Sequence, residues 1–249
     1  LINDGSTDSS NDIAEKYFNS NENIIYINDG KNLGLINRLN QIIDLANTKY
    51  IARMDSDDIM MPDRIEKQLD IFERQPDTDV VSSSVYSIND NNDVIGVRDY
   101  TIYDHSIESV FKKKFIAHPT IMARAEWYKL NKYYNFTRAE DLELWIRSFN
   151  NTKHYRIKKP LLLYREGKIN ISNYLKTAKT FINILNIHGK KYFNNFQLLR
   201  FKINSNFKSL IYFIFSLFNA QDILVKTRSL EISSDKINMI KNYINKLQG

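Results

Sequence analysis

Short apolar runs with β propensity alternate with amphipathic helical stretches through the N-terminal half of the chain, and this alternation constrains the fold more than any other feature. A chain that returns repeatedly to a strand after a helix builds a mostly parallel sheet flanked by helices, the α/β class. Asn23–Asn28 reads as a strand. Leu35–Ala46 reads as a helix, with Leu35, Ile36, Leu39, Ile42, Ile43 and Ala46 on one side. Lys49–Met54 is the next strand, and it runs directly into four polar residues, Asp55-Ser56-Asp57-Asp58. Pro62 sits where helices commonly begin, which predicts a helix over Arg64–Arg74. Asp79–Ile88 and Val94–Val97 read as strands joined by a turn at Asn89–Asn92. Ala117–Ala123 reads as a strand, Ala139–Phe149 as a helix, and His154–Ile157 and Leu161–Tyr164 as two further strands. From Ser172 onward the pattern is helical. The expected organisation is therefore an α/β domain over residues 1–171 and a helical region over residues 172–249.

The chain has no cysteine, so thiolate metal sites, disulfide scaffolds and cysteine nucleophiles are excluded. The formal net charge is +6, with Asp concentrated in residues 1–100 and Lys and Arg concentrated among aromatic residues after 151. Residues 190–249 mix those cations with Phe193, Phe196, Phe201, Phe207, Tyr212, Phe213, Phe215 and Phe218. This is the composition of helices that lie on an anionic membrane surface, and equally that of a helical subdomain packing its aromatics on a core. The longest apolar run, Leu210–Ala220, is shorter than the ~20 residues a spanning helix needs. The expected location is cytoplasmic, peripheral at the inner face of the cytoplasmic membrane, with no nucleic acid as partner.

The chemistry is concentrated in the acids. Carboxylates two positions apart at the C-terminal end of a strand can turn toward one hard cation, at the sheet edge where α/β proteins bind ligands. A solvated acidic loop is the other reading. A calcium loop is excluded, because Met60 stands where that loop needs Gly and Ile59 where it needs an oxygen ligand. Asn3-Asp4-Gly5-Ser6 forms a turn after a strand tail at Leu1-Ile2, and Asn32-Leu33-Gly34-Leu35 forms a second turn, with Arg38 one helical turn further on. Glu140 and Asp141 open a helix that carries Trp145. Acids are favoured there by the helix dipole, and a carboxylate so placed can also accept a proton from a sugar hydroxyl.

Taken in order, NDGSTDSS, NLGLINRLN, RMDSDDIMMPDRI, HPTIMAR and RAEDLELWIR resemble glycosyltransferase family 2, over roughly residues 1–170. The resemblance implies a GT-A fold and an inverting transfer from a nucleotide sugar, a UDP-sugar foremost. The acceptor it implies is a glycan or lipid-linked hydroxyl in the making of surface polysaccharide, such as lipopolysaccharide or capsule. It also implies roles for individual residues. Asp4 and Arg38 would contact the nucleotide, Asp55 the ribose, and Asp57 a divalent metal, Mn²⁺ or Mg²⁺. Asp141 would be the catalytic base, with His118, Glu140 and Trp145 lining the pocket.

Two departures from the family pattern stand out. Gly167 occupies a position that is often His in relatives, with Lys168 as a substitute cation. In addition, the family pattern begins with a strand, a P-x-Y/F-N loop and a helix, of which Leu1-Ile2 is the remainder. The expectation drawn from that is a truncated chain with weak nucleotide binding. The alternative function is a non-catalytic nucleotide-sugar or membrane-binding module. A nucleotidyltransferase would also use paired Asp residues, but no Lys-rich or Gly-rich triphosphate loop precedes the first acids.

Overall fold

The computed structural model of the protein describes residues 1–248. Its first elements form a small ribbon: β1 (Ile2–Asn3) pairs in parallel with β2 (Ile27–Asn28) across helix α1 (Ser10–Ser20). Of the predicted strand at Asn23–Asn28 only the last two residues pair, and Ile25 is exposed. Helix α2 (Leu35–Leu45) follows, then β3 (Tyr50–Ala52), β4 (Ile59–Met60) and α3 (Arg64–Arg74). The α3 bounds coincide with those read from the sequence. Glu66 in its first turn and Arg74 in its last complement the helix dipole.

The centre of the molecule is β5 (Val80–Ile88), with all nine residues buried. It turns back antiparallel into β6 (Val94–Arg98) through a short loop in which Asn92 takes a positive φ of 65°. A hairpin of this length can join only antiparallel strands. The chain then runs through α4 (Ile107–Phe111), the short strand β7 (Met122–Arg124), α5 (Ala125–Leu130) and α6 (Glu140–Ser148). That excursion is long enough for β8 (His154–Arg165) to return parallel to β5. The six-stranded sheet has the order β3-β7-β5-β8-β4, with β6 also on β5. The α/β class and the helical C-terminal region are those read from the sequence. The pairing is more mixed than expected, since only β1·β2 and β5·β8 are parallel.

Two local expectations are corrected. Ala117–Ala123 is not one strand: His118–Thr120 forms a 3₁₀ turn and pairing begins only at Met122. Pro119 removes a ladder donor and fixes φ, while the Thr120 hydroxyl closes the turn on the carbonyl of Ala117 at 2.7 Å. The two predicted strands at His154–Ile157 and Leu161–Tyr164 are one. Ile157 pairs with Ser83 and Pro160 with Ser84, so Lys158 and Lys159 bulge out where Pro160 can donate no hydrogen bond.

The C-terminal helices close over this framework. Helix α7 (Ile171–His188) places Phe181, Ile184 and Leu185 in the same core as Leu144, Trp145 and Ile146 of α6. It joins α8 (Asn195–Leu217) through Gly189, where an added Cβ would lie 2.7 Å from the Leu198 side chain. After α9 (Gln221–Lys226), Leu230 exchanges backbone hydrogen bonds of 2.8 and 2.9 Å with Val97 of β6. Gly96 makes this approach possible, since a Cβ there would lie 2.4 Å from the Leu230 carbonyl oxygen. Helix α10 (Ser234–Gln248) then seats Ile240 and Ile244 against Met61, Tyr86, Ile88 and Leu163.

Candidate active site

The acidic run after β3 folds into a cluster. Asp55, Asp57 and Asp58 each offer a carboxylate oxygen, and the three atoms lie within 4.8 Å of one another. Asp57 is exposed, Asp55 half-buried and Asp58 buried. Arg53 Nη2 donates to Asp55 Oδ1 at 2.6 Å from a side chain only 8% exposed. The Arg53 Nε and Nη1 are also buried, without a hydrogen-bond partner among the described residues. Asp58 Oδ1 accepts from the backbone N–H of Arg165 at 2.9 Å, whereas its Oδ2 is buried and unpaired. Arg165 fixes the loop from the other side, donating from Nε to the Asp57 carbonyl and from Nη1 to the Asn89 carbonyl.

Burial and the neighbouring acids set the protonation of this cluster. Desolvation pushes the Asp58 carboxyl up to about 7, and Asp55 and Asp57 add to the shift. Asp55 is raised as well, first by burial, with the Arg53 guanidinium opposing. Glu140, at the start of α6, is pushed up to about 6 by burial and then by Asp141. Asp141 and Asp55 both act on Glu140, and Asp141 acts on Asp55, so the two acidic groups share one field. Asp141 Oδ1 accepts from the Leu142 backbone N–H at 2.7 Å, which orients the carboxylate at the helix start.

These shifts give a testable pH dependence. Asp58 and Glu140 have folded pKa values above their ordinary ones of 3.8 and 4.5. Through that window the folded state holds more protons than the unfolded state, so stability is lost as pH rises from about 4 to about 7. A divalent ion competes with those protons and should offset the loss. Melting curves are expected to show Mn²⁺ raising the melting temperature more at about pH 8 than at about pH 5. Asp58→Asn should remove most of the difference.

The turn residues form a second cluster. Asp4 accepts from the backbone N–H groups of Leu33 at 2.7 Å and Gly34 at 3.0 Å, and from Arg38 Nε at 2.9 Å. Gly34, with φ of 81°, starts α2 and lets its N–H face that carboxylate. Arg38 is 4% exposed. It also makes a two-pronged ion pair with Asp29, at 3.0 and 2.7 Å, and donates to the Lys31 carbonyl at 2.6 Å. These bonds, led by the Arg38 hydrogen bond, hold the Asp29 carboxyl far below its usual range. Asp4 and Arg38 are thus partners of each other, stapling two turns together.

His118 and Trp145 are both buried, with their ring centroids 6.1 Å apart, and the Arg53 guanidinium that pairs with Asp55 also acts on His118. His118 is buried with its Nε2 2.7 Å from the Tyr133 hydroxyl, and burial holds its pKa well below the ordinary value. Trp145 stacks on Trp127 at a centroid separation of 6.0 Å. Trp145 is part of α6 and of the main hydrophobic core. Sequence reasoning placed Asp58 in the acidic run without a role of its own, and gave none to Arg53, Asp29 or Glu166. For Asp58 there was a signal, an acid directly followed by apolar Ile59, which marks the point where the loop turns inward. Glu166 precedes the His-to-Gly departure at Gly167. It is paired with Arg98 and lies 3.8 Å from Arg228, joining β6, β8 and the C-terminal segment.

The sequence pattern of Glycosyl transferase family 2 matches residues 1–142. An uncharacterized glycosyltransferase of Methanocaldococcus jannaschii is 32% identical over 174 residues, covering 68% of this chain and 59% of that protein. The O-antigen biosynthesis glycosyltransferase WbnJ of Escherichia coli is 32% identical over 131 residues, covering 51% of each. The chain therefore spans about three fifths and one half of the lengths of these two relatives. Among solved structures, S. aureus TarS in complex with UDP-GlcNAc superimposes with a TM-score of 0.58 at 15% identity, over 83% of this chain and 62% of that one. That likeness is one of fold.

Proposed function

The chain belongs to glycosyl transferase family 2, and from that premise we propose that it moves a sugar from a nucleotide-sugar donor to an acceptor hydroxyl, with inversion at the anomeric carbon. The observation that carries this reading is the convergence of two acidic groups, Asp55-Asp57-Asp58 after β3 and Glu140-Asp141 at the start of α6.

The first group fits a divalent cation. Three carboxylates stand close enough to share one ion, the donor set is all oxygen, and the buried Asp58 Oδ2 has no hydrogen-bond partner among the described residues. Such a set suits Mn²⁺ or Mg²⁺. Asp57, the exposed member, would be the primary ligand, with Asp58 as a second, and Asp55 would contact the donor's ribose. When bound, the ion supplies charge neutralisation for the departing diphosphate.

The second group supplies the proton acceptor. Asp141 takes the proton of the acceptor hydroxyl as its oxygen bonds to the anomeric carbon, while the bond from that carbon to the nucleoside diphosphate breaks. Glu140 lies beside it, its carboxyl pushed up to about 6 by burial and by Asp141. Asp4 and Arg38 hold the base-binding turns in place, and the Asp4 carboxylate presents the polar edge for the base. The donor proposed is a UDP-sugar, in keeping with the nucleotide bound by the fold neighbour. The acceptor proposed is a glycan or lipid-linked hydroxyl of a surface polysaccharide, in keeping with the O-antigen relative, and the reaction is placed at the cytoplasmic face of the membrane.

The test is a panel of nucleotide sugars incubated with the protein and Mn²⁺, with free nucleoside diphosphate as readout. Release from at least one UDP-sugar that rises with added acceptor is the expected result. Tight UDP binding without release from any donor would instead identify a binding module.

A further inference from the structure

Helix α8 is apolar on two opposite sides, and only one of them is covered. Leu198 is buried and Phe201 packs against the main core beside α7. On the other side Leu199, Ile203, Phe207, Leu210, Ile214 and Leu217 are all exposed. Their spacing of three and four residues puts them on one stripe, along a helix about 35 Å long. A helix that is apolar all round belongs under cover, so the outer stripe calls for a partner. No helix among the described residues is long and apolar enough to cross a membrane, so a bilayer could take this helix only lengthwise, along its surface.

Charge narrows the choice of partner. Residues 167–221 carry eight Lys and Arg and not one Asp or Glu. Two copies meeting through α8 would therefore bring like charges together, whereas an anionic lipid surface is complementary to both the stripe and its cationic flanks. We propose that the α7–α8 hairpin docks on an anionic phospholipid surface through the α8 stripe running from Leu199 to Leu217, so that the protein rests on the membrane.

Lys208 of α8 lies within electrostatic reach of Lys113, which in turn feels Asp141 and Glu140. If the transferase reading above holds, a lipid-anchored acceptor would enter from the side that faces the membrane, past these lysines.

The experiment is co-sedimentation of the full chain with phosphatidylglycerol or phosphatidylcholine vesicles, which requires no turnover. Binding to the anionic vesicles should be at least about ten-fold tighter than to the neutral ones, and should be lost at about 1 M salt. The double substitution Phe207→Glu with Ile214→Glu should abolish it without changing the melting temperature, because both side chains are exposed. Absence of binding to phosphatidylglycerol at low salt would overturn the proposal, as would a double variant that sediments like the parent. A dimer in light scattering that the same two substitutions dissolve would assign the stripe to a second copy, and would overturn it as well.

Discussion

Asp141→Asn is expected to lower turnover by roughly 10²–10⁴-fold with little change in donor affinity. The substitution keeps the side-chain volume and the oxygen that accepts from the Leu142 N–H, so the start of α6 should persist. What is lost is the capacity to take a proton. Because the acceptor hydroxyl must lose its proton as it attacks, the effect falls on kcat, and donor binding measured by calorimetry reports an intact pocket. Glu140 is the competing candidate, since it lies beside Asp141 and is itself an acid. Its carboxyl is buried, at 8% exposure, whereas Asp141 is only half-buried, which makes Glu140 the less accessible acceptor for an incoming hydroxyl. A variant that retains near-parental turnover while Glu140→Gln loses it would transfer the role to Glu140.

Asp57→Ala is expected to abolish turnover and to weaken UDP binding only when Mn²⁺ is present. Asp57 is the exposed member of the three-carboxylate cluster. Its backbone carbonyl, which accepts from Arg165 Nε at 2.9 Å, survives the substitution. The loop should therefore keep its shape, and the loss should be confined to the ion and whatever the ion holds. In the parent protein Mn²⁺ should tighten UDP binding, and in the variant the affinities with and without the ion should converge. Equal UDP affinity with and without Mn²⁺ in the parent would remove Asp57 from the metal site.

Elements whose signal is local were legible in the sequence. Arg64–Arg74 was found with its bounds because a helix-starting Pro62, a dipole-complementing Glu66 and a periodic apolar face agree within eleven residues. Val80–Ile88 was found because β-branched residues at both ends bracket small serines that can be buried on both faces of a central strand. Non-local features were not. The continuity of β8 depends on β5 tolerating a two-residue bulge, which nothing in His154–Arg165 itself announces. The orientation of each pair likewise depends on the excursion between strands rather than on the strands themselves. At the site, residue types were legible but partners were not. Asp4 and Arg38 were both singled out, yet the bond between them and the role of Asp29 emerge only when two turns fold together. His118 and Trp145 were singled out by their neighbours in sequence, whereas their burial against each other and against Tyr133 and Trp127 emerges only in the fold.

The contact of Leu230 with Val97 has a consequence for engineering chimaeras. A boundary drawn at residue 171 separates two stretches of sequence, but Ile184 and Leu185 share a core with α6, and Ile240 and Ile244 share one with β5 and β8. Gly96 admits the Leu230 carbonyl only because it has no side chain. Residues 172–249 therefore cannot be exchanged as a cassette between homologues: a transplanted tail would need a matching glycine on β6 and a Glu166 equivalent to meet its own arginine. Whatever those helices contribute is tied, by steric fit, to the sheet on which they sit.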